Sequence, residues 1–233
     1  IHSQINPNGT VIPDIYLTQE PQYCYGLILS NLAVGYYYLA GTNPTLATRC
    51  YNDMVLVFDY LSITYPNISS LNDASGYAWL LYGFSNAWRS FNDIGDTARV
   101  NLSSLIVQNY SASFISNQAI EGSWTGANGV EEQLKRDLGL LFAHQVTNDF
   151  SYLTAVRDNI DYILNTFWIS SNGGLESYSN PAISDQFSEY NQQLFMVATR
   201  RLNGRSGGVY NYTAQGEQAW HFLTDNNYAG IDM

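Results

Sequence analysis

The chain has 233 residues, a formal net charge of -11 and charged side chains at only 12% of positions, against roughly 25% in an ordinary globular protein. Eight arginines and a single lysine, Lys135, cannot lay a basic stripe along a phosphate backbone, so nucleic acid is excluded as a partner and anionic membrane surfaces are disfavoured. Surface hydration must come instead from Asn, Ser, Thr, Gln and nineteen tyrosines.

Residues 1–17 contain Asn6-Pro7-Asn8-Gly9 and Ile12-Pro13-Asp14, which forbid a helix, beside the apolar Ile1, Ile5, Val11, Ile12 and Ile15. An extended N-terminal arm is expected there, lying on its own domain or reaching a like subunit. A single helical domain is expected over 18–233. Its first segment, about 20–40, is apolar almost all round. It includes Ser30, Asn31 and two glycines and lacks flanking basic residues, so it reads as a buried helix and no membrane span is expected.

Gly41-Thr42-Asn43-Pro44 then turns the chain, with Asn43 as cap and Pro44 at the first helical position. Across this hairpin a Cys24–Cys50 bridge faces ~15 Å of axial mismatch at 1.5 Å per residue. Bridging would need the first helix to start later or to break near Gly35. Ser75 to Phe91 is again apolar on all sides and belongs inside. Further on, Leu153, Val156, Ile160 and Ile163 follow helical spacing with Arg157, Asp158 and Asp161 between them, the pattern of an outer helix capped by Asp149.

Eight helical segments emerge, joined by connectors that alternate between short and long. The long ones, Tyr65 to Ser75, Asn117 to Gly129 and Ile169 to Ser184, carry aromatics and acids. Antiparallel pairing would gather these loops on one rim, where helical scaffolds place function. The expected fold is all-α, with about four hairpins. With Glu121-Gly122-Ser123-Trp124 and Gly173-Gly174-Leu175-Glu176 each leading into an inner helix, the chain resembles the α/α toroids of carbohydrate-active enzymes, the six-hairpin glycosidases and related polysaccharide lyases. The resemblance implies an open, toroid-like array acting on carbohydrate. No catalytic signature of those families is matched, and six hairpins would need roughly 300 residues.

Glycoside hydrolysis needs two carboxyl groups ~5 to 9.5 Å apart with aromatic surface beside them. On the long-loop rim the candidates are Glu121 and Glu176, then Asp73 and Asp185, with Trp124 and Tyr178 to stack on sugar rings. Asp73 and Asp185 also sit where N-caps belong. Glu131 and Glu132 fit the first turn of a helix. His2, His144 and His221 are dispersed, so neither a metal site nor a cofactor is implied. Five sequons, at Asn8, Asn67, Asn101, Asn109 and Asn211, together with a start at Ile1, suggest a secreted glycoprotein at or beyond the cell surface. The competing expectation is a non-catalytic surface-layer or filament subunit.

Overall fold

The computed structural model describes residues 4–12, 21–69, 74–127, 129–176 and 188–225. Eight long helices lie among them: α1 Pro21–Leu39, α2 Pro44–Thr64, α3 Ala74–Ile94, α4 Thr97–Ile115, α5 Val130–Thr147, α6 Phe150–Thr166, α7 Glu189–Arg205 and α8 Thr213–Asp225. A two-residue antiparallel pair, β1 Trp168–Ile169 with β2 Gly174–Leu175, joins α6 to α7. Where the sequence suggests one domain from residue 18, the chain divides into two compact units, Ile1–Ser113 with Phe142–Asn148 and Phe114–Leu141 with Asp149–Met233.

In the first unit α1 and α3 lie backbone against backbone. A Cβ on Gly83 would come within 2.6 Å of the Gly26 carbonyl oxygen, so only glycine permits this approach. Farther along, Asn86 Nδ2 donates to Ser30 Oγ at 3.0 Å, and Ser90 Oγ to the Ala33 carbonyl at 3.2 Å. The pairs 26 with 83, 30 with 86 and 33 with 90 advance together, so the two inner helices run parallel. The outer helices cover them. Phe58 of α2 packs edge-on against Phe84 and Phe91 at 5.6 and 4.8 Å, and Ser103 of α4 donates to the Phe84 carbonyl at 2.9 Å. Arg99 ties α4 to α2 through a two-point contact with Asp59 at 2.9 and 2.7 Å.

In the second unit α6 buries Leu153, Val156, Ile160 and Ile163 completely, while Arg157 pairs with Asp158 on the outer side. Asp149 accepts from the Ser151 N–H at 2.9 Å, as its cap position requires. Leu194, Phe195, Ala198 and Leu202 form the buried stripe of α7, against which α8 sets Ala219, Phe222 and Leu223.

A recurring device ties down the loop before each inner helix. Ahead of α1, α5 and α7 the chain makes a short antiparallel contact: Ile5 with Val11, Gln118 with Trp124, and β1 with β2. Two residues before Val11, Trp124 and Leu175 stands a glycine at positive φ, namely Gly9 (83°), Gly122 (94°) and Gly173 (76°). Each lies flat on the following outer helix, where a side chain would collide with the Leu56 carbonyl, the Asp158 carbonyl or Gln218.

An early residue of the inner helix then grips the loop. The Tyr25 hydroxyl accepts the Val11 N–H at 3.1 Å and Gln133 Oε1 accepts the Trp124 N–H at 2.8 Å. Gln192 accepts from the Leu175 N–H at 3.2 Å and donates to its carbonyl at 2.9 Å. Before α3 the Tyr77 hydroxyl holds Ser69 Oγ at 2.6 Å. Tyr77, Gln133 and Gln192 are each the fourth residue of their helix. The repeating unit is therefore a pinned turn, an inner helix and an outer helix.

The described part of the expected N-terminal arm uses the same device and lies on its own unit. Residues 4–12 fold back as the first such turn, because Gly9 can lie on α2 and Tyr25 satisfies the Val11 amide. Residues 1–3 and 13–17 of the expected arm lie outside the described residues. Cys24 and Cys50 are not bridged. Cys50 Sγ lies opposite Gly35, 3.4 Å from where a Cβ would stand. That is eleven residues past Cys24, about 16 Å along the helix.

Candidate functional site

Of the residues singled out on the long-loop rim, Asp73, Tyr178 and Asp185 lie outside the described residues. Glu121 is exposed on the turn before α5, and Glu176 is half-buried just after β2, its N–H donating to the Phe167 carbonyl at 2.9 Å. Glu131 and Glu132 occupy the first turn of α5, and Glu131 pairs with Lys135 one turn on.

Comparing the turns explains Glu121. It precedes the positive-φ glycine, as Asn8 and Asn172 do in theirs. In all three the side-chain oxygen accepts from the residue just after the glycine. Thr10 Oγ1 donates to Asn8 at 2.7 Å, Ser123 Oγ to Glu121 at 2.8 Å, and the Gly174 N–H to Asn172 at 2.8 Å. Glu121 thus closes a turn. The Ser123 hydroxyl also holds its carboxyl below the usual range, whereas a general acid needs a raised value.

Trp124 is corrected outright. At 1% exposure it cannot stack on a sugar, and its indole Nε1 donates to Asp137 Oδ1 at 2.9 Å. Around it runs a buried polar network: Gln133 Oε1 also accepts from Asn159 Nδ2 at 2.7 Å, and Asn159 reaches the Gly122 carbonyl at 3.1 Å. Gln118 Nε2 donates to the carbonyls of Gly122 and Ala155 at 2.9 and 2.7 Å. Arg136 Nη1 donates to the Thr125 carbonyl at 2.9 Å. Burial pushes the Asp137 carboxyl well above the carboxylate range, against the lowering effects of Trp124 and Arg136. Its Oδ2 is buried and makes no hydrogen bond among the described residues.

The result is a loop hydrogen-bonded to α5 and α6 that presents Glu121, Thr125 and a fully exposed Ile120. Sequence reasoning located this loop but missed its anchors, Gln133, Asp137 and Asn159. The signal was present as polar residues interrupting apolar helix faces. Among the described residues no group of three or more His, Cys, Asp or Glu side chains could hold a metal ion, and no helix is long and apolar enough to cross a membrane. A separate groove of about 730 Å³ runs along the α7–α8 hairpin, its lining including Met196, Val197, Arg200, Glu217 and Trp220.

No protein-family model matches the chain, and neither does any curated protein. Among solved structures it is similar to the family GH76 α-1,6-mannanase of Salegentibacter sp. HEL1_6, with a TM-score of 0.67 at 11% identity, covering 94% of this chain and 65% of that one. An inactive double-aspartate variant of that mannanase, in complex with α-1,6-mannotetrose, gives 0.68 at the same identity and coverage. This chain thus spans about 65% of the length of the mannanase it resembles. The likeness concerns the fold, which is all-α, with helical hairpins in a toroid-like array.

Proposed function

We propose that this protein binds carbohydrate at the pinned loops preceding α5 and α7, and that α-linked mannose oligosaccharides are the ligand class. The observation that carries the reading is the fold likeness to a mannanase across 94% of the chain. The anchoring of both loops supports it, because preorganised backbone loses little freedom when a flexible sugar binds. If turnover accompanies binding, Glu176 takes the proton-donor role and Glu121 that of base or nucleophile, with Asp73 and Asp185 as further candidates. The chain acts outside the cell in this reading, carrying glycan of its own. Incubation with α-1,6-mannan and other polysaccharides tests it, with reducing ends and bound sugar both measured. Release of reducing ends that Glu176→Gln abolishes supports a glycosidase. Binding without release supports a carbohydrate-binding protein, and neither result with any polysaccharide refutes the proposal.

A second reading, a structural surface-layer or filament subunit, is favoured by the use of Glu121 in a turn and by the sparse charge. Electron microscopy of native material showing regular polymers would select it.

A further inference from the structure

We propose that the five sequons are unequal: Asn8 and Asn211 carry N-linked glycan, Asn101 carries none, and Asn67 and Asn109 exclude one another. This rests on the export reading, since only an exported chain meets the transferase. In the transfer, the anomeric carbon of a lipid-pyrophosphate-linked oligosaccharide breaks its bond to the pyrophosphate oxygen and bonds to Asn Nδ2. One amide proton leaves with the released pyrophosphate lipid. The acceptor must offer an unengaged Nδ2 and a Ser or Thr hydroxyl two residues on.

Asn8 and Asn211 meet both conditions in the same way. Asn8 Oδ1 accepts the Thr10 N–H at 3.1 Å and its hydroxyl at 2.7 Å, and Asn211 Oδ1 accepts the same two groups of Thr213 at 3.1 and 2.7 Å. Both asparagines are exposed, and neither Nδ2 makes a hydrogen bond among the described residues. The contacts span two residues, so they form locally without the rest of the fold. Bonds to Oδ1 polarise the amide and acidify the Nδ2 protons. Because they leave Nδ2 untouched, the turn survives modification.

The sequons within α4 are built differently. In a helix, residues i and i+2 do not face one another, so Asn101 and Ser103 point apart. Ser103 is buried and gives its hydroxyl to the Phe84 carbonyl at 2.9 Å. Ser111, the hydroxyl residue of the Asn109 sequon, is likewise buried. Asn109 Nδ2 donates to Asn67 Oδ1 at 3.1 Å. Two side-chain amides in hydrogen-bond contact have no room for a sugar on each, so one molecule carries at most one of the two.

The test is secretion of the chain from a eukaryotic host behind a cleavable leader, followed by glycopeptide mass spectrometry of the folded product. The Asn8 and Asn211 peptides are expected to be mostly glycosylated and the Asn101 peptide bare. Intact mass of the Asn8→Gln, Asn211→Gln double variant, whose substitutions are on the surface, should show no more than one glycan. Asn101 occupied as fully as Asn8, two glycans on the double variant, or bare Asn8 and Asn211 would each overturn the proposal. The host supplies the transferase whatever the native location. Unglycosylated native material beside the expected pattern in the host would therefore overturn the export reading alone.

Discussion

Replacing Gln133 with leucine measures what the loop anchor contributes. Gln133 is 2% exposed, and its Oε1 accepts from the Trp124 N–H at 2.8 Å and Asn159 Nδ2 at 2.7 Å. Leucine is close in volume, so packing changes little, but two buried donors lose their acceptor. Each stranded donor costs ~1–3 kcal/mol. Asn159 retains the Gly122 carbonyl at 3.1 Å, which places its loss at the low end. The sum is about 2–4 kcal/mol, a large share of the ~5–15 kcal/mol that holds a domain together. Urea unfolding should show that loss, and the Trp124 amide should exchange roughly 30- to 1,000-fold faster, since each ~1.4 kcal/mol is tenfold. Gln193→Leu, on the exposed side of α7, serves as control and should stay within ~0.5 kcal/mol. Stability within that margin for Gln133→Leu, with Trp124 still protected, would refute the anchoring role.

Gly122→Ala should cost ~3 kcal/mol or more by thermal unfolding. It forces a side chain onto φ 94° and into the Asp158 carbonyl, and displaces a carbonyl that accepts two bonds. Gly126→Ala, at φ 79° with open space around it, should lose only ~1 kcal/mol. Asp137→Asn tests the buried acid. Folding raises its carboxyl above the ~3.9 of an unfolded aspartate, so between the two values the unfolded chain has lost the proton and the folded chain keeps it. Stability then falls as pH rises, by ~1.4 kcal/mol per unit. Asparagine still accepts from Trp124 and should flatten that slope above pH ~4, and an unchanged slope would contradict the raised carboxyl. Tyr77→Phe removes the hydroxyl that holds Ser69 and should cost ~0.5–1 kcal/mol in denaturant unfolding.

Helix positions and the inner or outer character of α1, α3 and α6 were legible because burial writes itself as apolar spacing. Asn43, Pro44 and Asp149 marked helix starts because backbone N–H groups there need local acceptors. The pinned turns were only half legible. The Gly122 and Gly173 stretches stood out, but residues 4–12 read as an arm because a bridge as short as Ile5 with Val11 leaves no alternation to detect. Trp124 was misjudged for a related reason. An aromatic in a loop rich in polar residues looks available, and only the fold reveals that Gln133 and Asp137, nine and thirteen residues on, reach back to enclose it. Glu121 likewise had no helical explanation in the sequence. Its role as a turn acceptor appears only beside Asn8 and Asn172.

The most direct test is titration of α-1,6-mannotetraose into isotopically labelled protein, following backbone amide shifts residue by residue. Saturable shifts concentrated in 117–127 and 168–176 are expected if the anchored loops hold the sugar. Saturable shifts confined to the α7–α8 flank, or none at all, would contradict it.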